Sequence, residues 1–152
     1  MTVPYQEDED KKTWQEVEVA FPPPPREESL LRFYVSAVAD NVFQIDTGSL
    51  SVGADGVVRY VLVVGTPGGV RNVSFEGLRC ETRERRLYAL GRADGGWSKA
   101  RSKQWVLVEN KVVNRHHAAL ITEYFCPDGI AVRSAEEAVA ALRAGGKPGL
   151  RH

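Results

Sequence analysis

Two adjacent histidines, His116 and His117, have the side chains best suited to proton transfer or metal binding, and their spacing argues against the metal. Neighbouring residues of a helix point about 100° apart, so the two rings cannot chelate one ion together, and no further ligand stands at i+4. No metal site is expected. His117 falls on an apolar helical stripe and reads as a hydrogen-bonded core residue. His116, next to Arg115, is the better candidate for acid–base work, and a hydrolase would pair it with an acidic residue such as Glu76 or Asp94. Nucleophilic catalysis finds little support: there is no Gly-x-Ser-x-Gly elbow, and Cys80 and Cys126 are spent if they are bonded. Gly65-Thr66-Pro67-Gly68-Gly69 lacks the lysine and spacing of a phosphate loop, and no cofactor is expected. Asn72-Val73-Ser74 matches a glycosylation sequon but lies inside an expected strand.

The second chemical signal is positive charge. The chain is neutral, with 20 basic and 20 acidic residues, yet residues 1–30 carry a net −5 and residues 31–152 a net +5. The excess gathers in residues 79–103, where Arg79, Arg83, Arg85, Arg86, Arg92, Lys99, Arg101 and Lys103 face three acids. Trp97 lies inside this run and Trp105 just beyond it. Arginine beside tryptophan makes a grip for an anionic partner. The chain's own acidic run, Glu7-Asp8-Glu9-Asp10, is one such partner, which would make the domain a tail-regulated module. Arg59 shares a strand face with Val57, Val61 and Val63. A guanidinium buried there needs a carboxylate such as Glu76 or Glu84, unless it joins Arg71 or Arg79 in binding an anion.

These side chains need a scaffold, and 152 residues suffice for one domain with its own core. At 43% hydrophobic and 26% charged, the chain has an ordinary globular composition, without the ~18 uninterrupted apolar residues of a membrane helix. Residues 1–29 read as an acidic, proline-rich tether, with four prolines after Phe21 favouring an extended rod of roughly 12 Å. Within it, residues 14–19 alternate and suit an edge strand anchored by Trp14. Residues 30–152 read as a single α+β domain. Its mainly antiparallel sheet of about six to seven strands, open to strong curvature, is followed by two C-terminal helices. Strands are expected at 33–38, 42–46, 49–52, 57–64, 72–80, 85–90 and 104–109, with a polar loop over 91–103.

Asp55-Gly56 marks a tight hairpin, and residues 57–64 suit a central strand covered on both faces. Between 72 and 80, Val73 and Phe75 give way to Leu78 and Cys80, read as a phase slip at a Gly77 bulge that puts all four on one face. The first helix follows the stripe Val113, His117, Leu120, Ile121 and Tyr124. The second starts at the Ser134–Glu137 capping box and ends at Gly145-Gly146. Two cysteines 46 residues apart match neither a metal cage nor a redox motif, so they are either a disulfide or small core residues. Residues 1–10 show neither the basic start nor the apolar stretch of a signal peptide, which fits a cytosolic protein or a processed one.

Several motifs stand together: Ser49-Leu50-Ser51-Val52-Gly53, Asp55-Gly56-Val57-Val58-Arg59-Tyr60, and Asn72-Val73-Ser74-Phe75-Glu76-Gly77-Leu78-Arg79-Cys80. Tyr88, Gly91, Asp94-Gly95, Trp97, Asn114-Arg115, Ala119-Leu120 and Tyr124-Phe125-Cys126 continue them. With these, residues 33–126 resemble the bacterial cell-envelope family named after the cryptic neisserial protein, a family defined by sequence and without an assigned activity. The resemblance implies export, with a signal peptide removed ahead of an acidic, proline-containing tail, and a periplasmic or otherwise exported location. It also implies a disulfide between Cys80 and Cys126, because both lie in matching motifs and the periplasm permits the bond. It assigns no substrate or catalytic residue. The expectation is a non-enzymatic binding or structural module of the envelope, acting through Arg59, Arg79, Arg83, Arg85, Arg92, Trp97, Arg101 and Trp105. Its partner would be another envelope protein, an anionic glycan or a lipid headgroup rather than nucleic acid.

Overall fold

Five of the nine residues from Val57 to Gly65 are valine, a composition that favours the pleated backbone and leaves no polar face to turn toward water. In the computed structural model, which describes residues 14–145, this segment is the central strand, β4 (Val57–Gly65). Around it lie β1 (Leu30–Arg32), β2 (Val42–Asp46), β3 (Ser51–Val52), β5 (Arg71–Arg79), β6 (Glu84–Gly91), β7 (Trp97–Lys99) and β8 (Val106–Leu107). All pairings are antiparallel, in the order β1-β2-β4-β5-β6-β7, with β3 also beside β4 and β8 also beside β6. The chain then forms α1 (Arg115–Ala119), which widens into a π-helical stretch over Leu120–Phe125, and α2 (Ala135–Ala144). Ser134 Oγ accepts the Glu137 N–H at 3.1 Å, the expected cap. The α+β class and the C-terminal helices match the sequence reading.

Each face of the sheet has its own core. On one, Val58, Tyr60, Leu62, Phe43, Ile45 and Leu78 pack against Leu120, Ile121, Tyr124 and Phe125 of the helical segment and Ala138 and Leu142 of α2. On the other, Val61, Phe75, Tyr88 and Ala89 are covered by Val19 and Trp97. This second core corrects the strand phase. Alternation runs unbroken through β5, with Val73 and Phe75 on one face and Glu76, Leu78 and Cys80 on the other. Apolar residues therefore occur in both phases, which imitates a slip. The bulge is in β6, where Tyr88 is the extra residue opposite Phe75 and Glu76. Gly77 is required for another reason: a Cβ there would lie 2.7 Å from Tyr88 Oη and 3.0 Å from Val57 Cγ1.

Three further expectations change. The expected strand at 33–38 does not form, since the strand here is Leu30–Arg32; beyond it the Phe33 amide donates to the Phe43 carbonyl at 3.0 Å and the Tyr34 carbonyl accepts the Tyr124 hydroxyl at 2.8 Å. The expected strand over 104–109 shrinks to Val106–Leu107, and part of the expected polar loop supplies β7. Residues 14–29 lie against the sheet rather than hanging from it, and residues 14–19 form no strand because side chains rather than a backbone ladder hold them. Cys80 and Cys126 are joined, with their Cα atoms 5.5 Å apart, tying the end of β5 to the end of the π-helical stretch. Among the described residues, no helix is long and apolar enough to cross a membrane.

Candidate functional site

The face of the sheet away from the helices carries a cluster of charges around Arg59. Strand alternation places this residue beside Val57 and Val61 and away from Glu76, which faces the helices; Glu84 is on the Arg59 face but opposite Arg79, and the bonds of Arg59 go to neither. The hairpin supplies one: Arg59 donates to Asp55 Oδ2 at 2.7 Å and Oδ1 at 3.3 Å. Gly53 permits this close approach, since a Cβ there would lie 2.5 Å from Asp55 Oδ1 and 2.7 Å from Arg59 Nη1. The N-terminal segment supplies the other, Glu16, whose Oε2 accepts from Arg59 at 2.8 Å and from the Tyr88 hydroxyl, and whose Oε1 accepts from Arg86 at 2.5 Å. Arg59 Nε also donates to Tyr88 Oη at 3.1 Å.

Burial works against charge on Arg59, but its two carboxylates outweigh that and raise its pKa. Burial also raises the Asp55 carboxyl, and the bonds from Arg59 and the Val17 and Val57 amides more than reverse it. Around this cluster the segment is pinned elsewhere. Trp14 lies against the Arg79 guanidinium, 3.7 Å from the ring centre, and edge-on to Trp105 at 6.1 Å. Phe21 meets Phe75 edge-on at 5.8 Å, and the Trp97 indole donates to the Pro22 carbonyl at 2.7 Å.

Under the helices is a second polar group, centred on the buried Glu76, His117 and Tyr60 with the half-buried Ser74 at its edge. Glu76 Oε1 accepts the Tyr60 hydroxyl and His117 Nε2, each at 2.8 Å, and Oε2 accepts the Ser74 hydroxyl at 2.8 Å. Burial pushes this carboxyl up, but the bond and charge of His117, with help from Arg85 and Ser74, prevail and hold it down at about 2. The shared proton therefore belongs to His117 Nε2. His117 Nδ1 is buried and makes no hydrogen bond. Burial and then the Glu76 charge push the Tyr60 phenol up, so it remains a donor. His117 is thus the bonded core residue that the stripe implied.

His116 stacks on Phe43 at 4.9 Å, lies 4.1 Å from the His117 ring, and borders a cavity of about 280 Å³ with Asp40, Val38 and Val112. Burial, then the neighbouring His117, push its pKa down to about 4. In an NMR pH titration its ring should stay neutral from pH 8 to about 5.5; an ordinary midpoint near ~6.5 would contradict this environment. Of its proposed partners, Glu76 is separated from it by His117. Asp94 is on the exposed β6–β7 turn, bonded to Arg92 and the Gly96 amide, so the proton-transfer pair is not assembled.

A third feature lies on the helix side of the sheet where the helices stop. Arg85 and Leu87 sit opposite Leu78 and Glu76, and Ser98 opposite Leu90. With Lys99, Arg101 and Val106 they line an open groove of about 410 Å³, apolar in its floor and basic at its rim. Leu90 and Val106 are half exposed there, at 50% and 55%.

The sequence-family model described as the CNP1-like family matches residues 9–143. The chain belongs to the CNP1-like family. No curated protein and no solved structure matches it. The CNP1-like match includes the N-terminal segment as well as the sheet and helices.

In this CNP1-like chain the basic run does not form one patch. Arg59, Arg79 and Arg86, with Trp97 and Trp105, lie under the N-terminal segment, while Arg85 and Arg101 lie across the sheet in the groove. Arg83 is exposed at the β5–β6 turn, and Arg92 donates to the Trp97 carbonyl at 2.9 Å. Alternation explains the division, since Arg85 and Arg86 are neighbours in β6 and must point to opposite faces. Sequence reasoning did not place Glu16, Asp55 and Tyr88 at a site; the early signals were the alternation over residues 14–19 for Glu16, and for Asp55 and Tyr88 their places in the motifs that carry the resemblance. Residues 7–10, the expected cover of the basic surface, lie outside the described residues. Among the described residues, no three His, Cys, Asp or Glu side chains converge where they could hold a metal.

Proposed function

We propose that this chain is a non-enzymatic module of the bacterial cell envelope, exported to an oxidising compartment, that binds anionic membrane lipid through the groove between β6, β7 and β8. The observation that carries this reading is the groove itself. Leu87, Leu90 and Val106 offer an apolar floor for acyl chain, and Arg85, Lys99 and Arg101 surround it with positive charge for the headgroup. The buried Cys80–Cys126 disulfide supports the compartment, because such bonds persist where thiols are not kept reduced.

Sedimentation with vesicles provides the test. The protein should pellet with phosphatidylglycerol vesicles and not with phosphatidylcholine, and less so as salt rises. At an anionic surface each lysine or arginine contributes about 1 kcal/mol, so Lys99→Ala with Arg101→Ala should weaken binding about thirtyfold. Arg83→Ala with Arg92→Ala, outside the groove, should change it little. Equal loss from both pairs, or selective retention on an acidic polysaccharide with none on vesicles, would replace lipid as the partner.

A hydrolase built on His116 is the second reading, favoured by the cavity beside that ring. It predicts hydrolysis of some ester or glycoside that His116→Ala abolishes without lowering thermal stability.

A further inference from the structure

The N-terminal segment meets the sheet in the manner of a bound peptide. Residues 14–25 make no backbone-to-backbone hydrogen bond with the rest of the described chain; their backbone meets side chains instead, the Val17 amide donating to the Asp55 carboxylate at 3.0 Å and the Pro22 carbonyl accepting from the Trp97 indole at 2.7 Å. The grip lies in side-chain anchors set along an extended chain. Trp14 lies against Arg79 and Trp105, the Glu16 carboxylate is held by Arg59, Arg86 and Tyr88, Val19 joins the small core, and Phe21-Pro22 meets Phe75 and Trp97. Between the anchors, Gln15, Val17, Glu18 and Ala20 are exposed.

The receiving surface is built independently of its occupant. Asp55 fixes the Arg59 guanidinium through two bonds, and Gly77 allows Tyr88 to lie close over β5. Arg59 and Arg86 carry two positive charges there against the single carboxylate of Asp55, which leaves one charge to be met by a carboxylate from outside the sheet. The four prolines that end the segment, Pro22 to Pro25, favour an extended chain before binding, which lowers the ordering cost.

From this we infer that the helix-free face of the sheet is a recognition site for an extended aromatic–acid–aromatic–proline segment, filled by the chain's own residues 14–25 and exchangeable with the same segment of a second copy. The complementary sequence is present in every copy, and exchanging an identical element is a low-cost route to a dimer. Covalent attachment gives the resident segment a high effective concentration, so the closed monomer is the resting state and the exchanged dimer forms when closure is strained. This surface lies across the sheet from the groove, so segment exchange and lipid binding can fail separately.

The test uses the full chain. A fluorescent peptide of residues 14–25 should bind a chain carrying Trp14→Ala and Glu16→Ala at least tenfold more tightly than it binds the unaltered chain, whose site is occupied. The same peptide carrying Glu16→Gln should lose at least tenfold against that double variant, while Glu18→Gln, at an exposed position, should change little. A peptide that binds neither chain, or binds equally well without the Glu16 carboxylate, overturns the inference. If the double variant does not fold, deletion of Pro23 and Pro24 decides. It removes about 6 Å of rod, strains closure within one chain, and should convert the protein to a dimer by sedimentation velocity. A shortened chain that stays monomeric refutes exchange.

Discussion

His117→Phe should destabilise the protein by about 3–5 kcal/mol at pH 7, because it leaves the Glu76 carboxylate ionised in the core with only two hydroxyl donors. Phenylalanine restores much of the ring's volume, so the loss reports the charge more than a cavity. Acid should diminish it: without His117 the Glu76 pKa rises, and at pH 3 the carboxyl takes up a proton and is no longer a buried charge. Glu76→Gln gives the complementary result. In the unaltered protein the folded-state pKa of about 2 lies below the ordinary 4.5, so this contribution is complete above pH 4.5 and is lost as pH falls through 2. Its size is on the order of 3 kcal/mol, and it should be missing from the Glu76→Gln stability profile. His116 adds an earlier step to both profiles. The unfolded chain binds that proton near 6.5 and the folded one only near 4, so stability falls across that interval as well. Urea unfolding at pH 7, 5 and 3 separates the two. A His117→Phe loss below 1 kcal/mol, or one unchanged between pH 7 and 3, would mean that the buried pair does not hold a charge.

The parts of the fold legible in the sequence were those with a strong local cause. The apolar run at 57–64, the Asp55-Gly56 hairpin and the Ser134 cap each appear within a residue or two of where their chemistry puts them. The misreading of β5 was physical rather than local. Alternation assigns a strand to one core only if its other face is wet, and here Val73 and Phe75 face one core while Leu78 and Cys80 face another. A two-sided strand and a one-sided strand with a bulge produce the same letters. What covers the second face is the acidic, proline-rich segment, whose composition suggests a solvated tether and whose anchors become apparent only opposite Arg79, Arg59 and Phe75.

The candidate sites were legible to a similar degree. Position in β4 identified Arg59 as a buried guanidinium but named the wrong carboxylates: pairing across 43 residues to Glu16 leaves no local signal, and Asp55, four residues away, was accounted for by its hairpin turn alone. The charge count located the basic run, and strand periodicity then divided it between two faces, a step available from the sequence once Arg85 and Arg86 are assigned to one strand. Lys99 and Val106 join Arg85 only because β7 and β8 both pair with β6, which no local spacing specifies.

Replacing Cys80 and Cys126 together by alanine should lower stability by about 4 kcal/mol, the chain-entropy value for a loop of 46 residues. For a chain of this length that corresponds to a fall in melting temperature of roughly 8–16 °C. The bond joins elements that meet only through side-chain packing, the last residues of the sheet's β5 and the end of the π-helical stretch, so its removal frees the helical cover more than the sheet. Both cysteines are buried, with Cys80 6% and Cys126 2% exposed, and a reductant should reach their sulfurs only as the cover opens. Reduction in native buffer should therefore be slow and should accelerate in sub-denaturing urea. Once the bond is open, alkylation should trap a protein whose near-ultraviolet dichroism has weakened around Tyr124 and Phe125 while β-sheet signal persists. Thiol titration of the unfolded, unreduced protein should find no free thiol. Two free thiols would overturn the bond and remove the main support for an oxidising compartment, because the loop would then be closed by packing alone and the double alanine variant should melt within a few degrees of the unaltered chain.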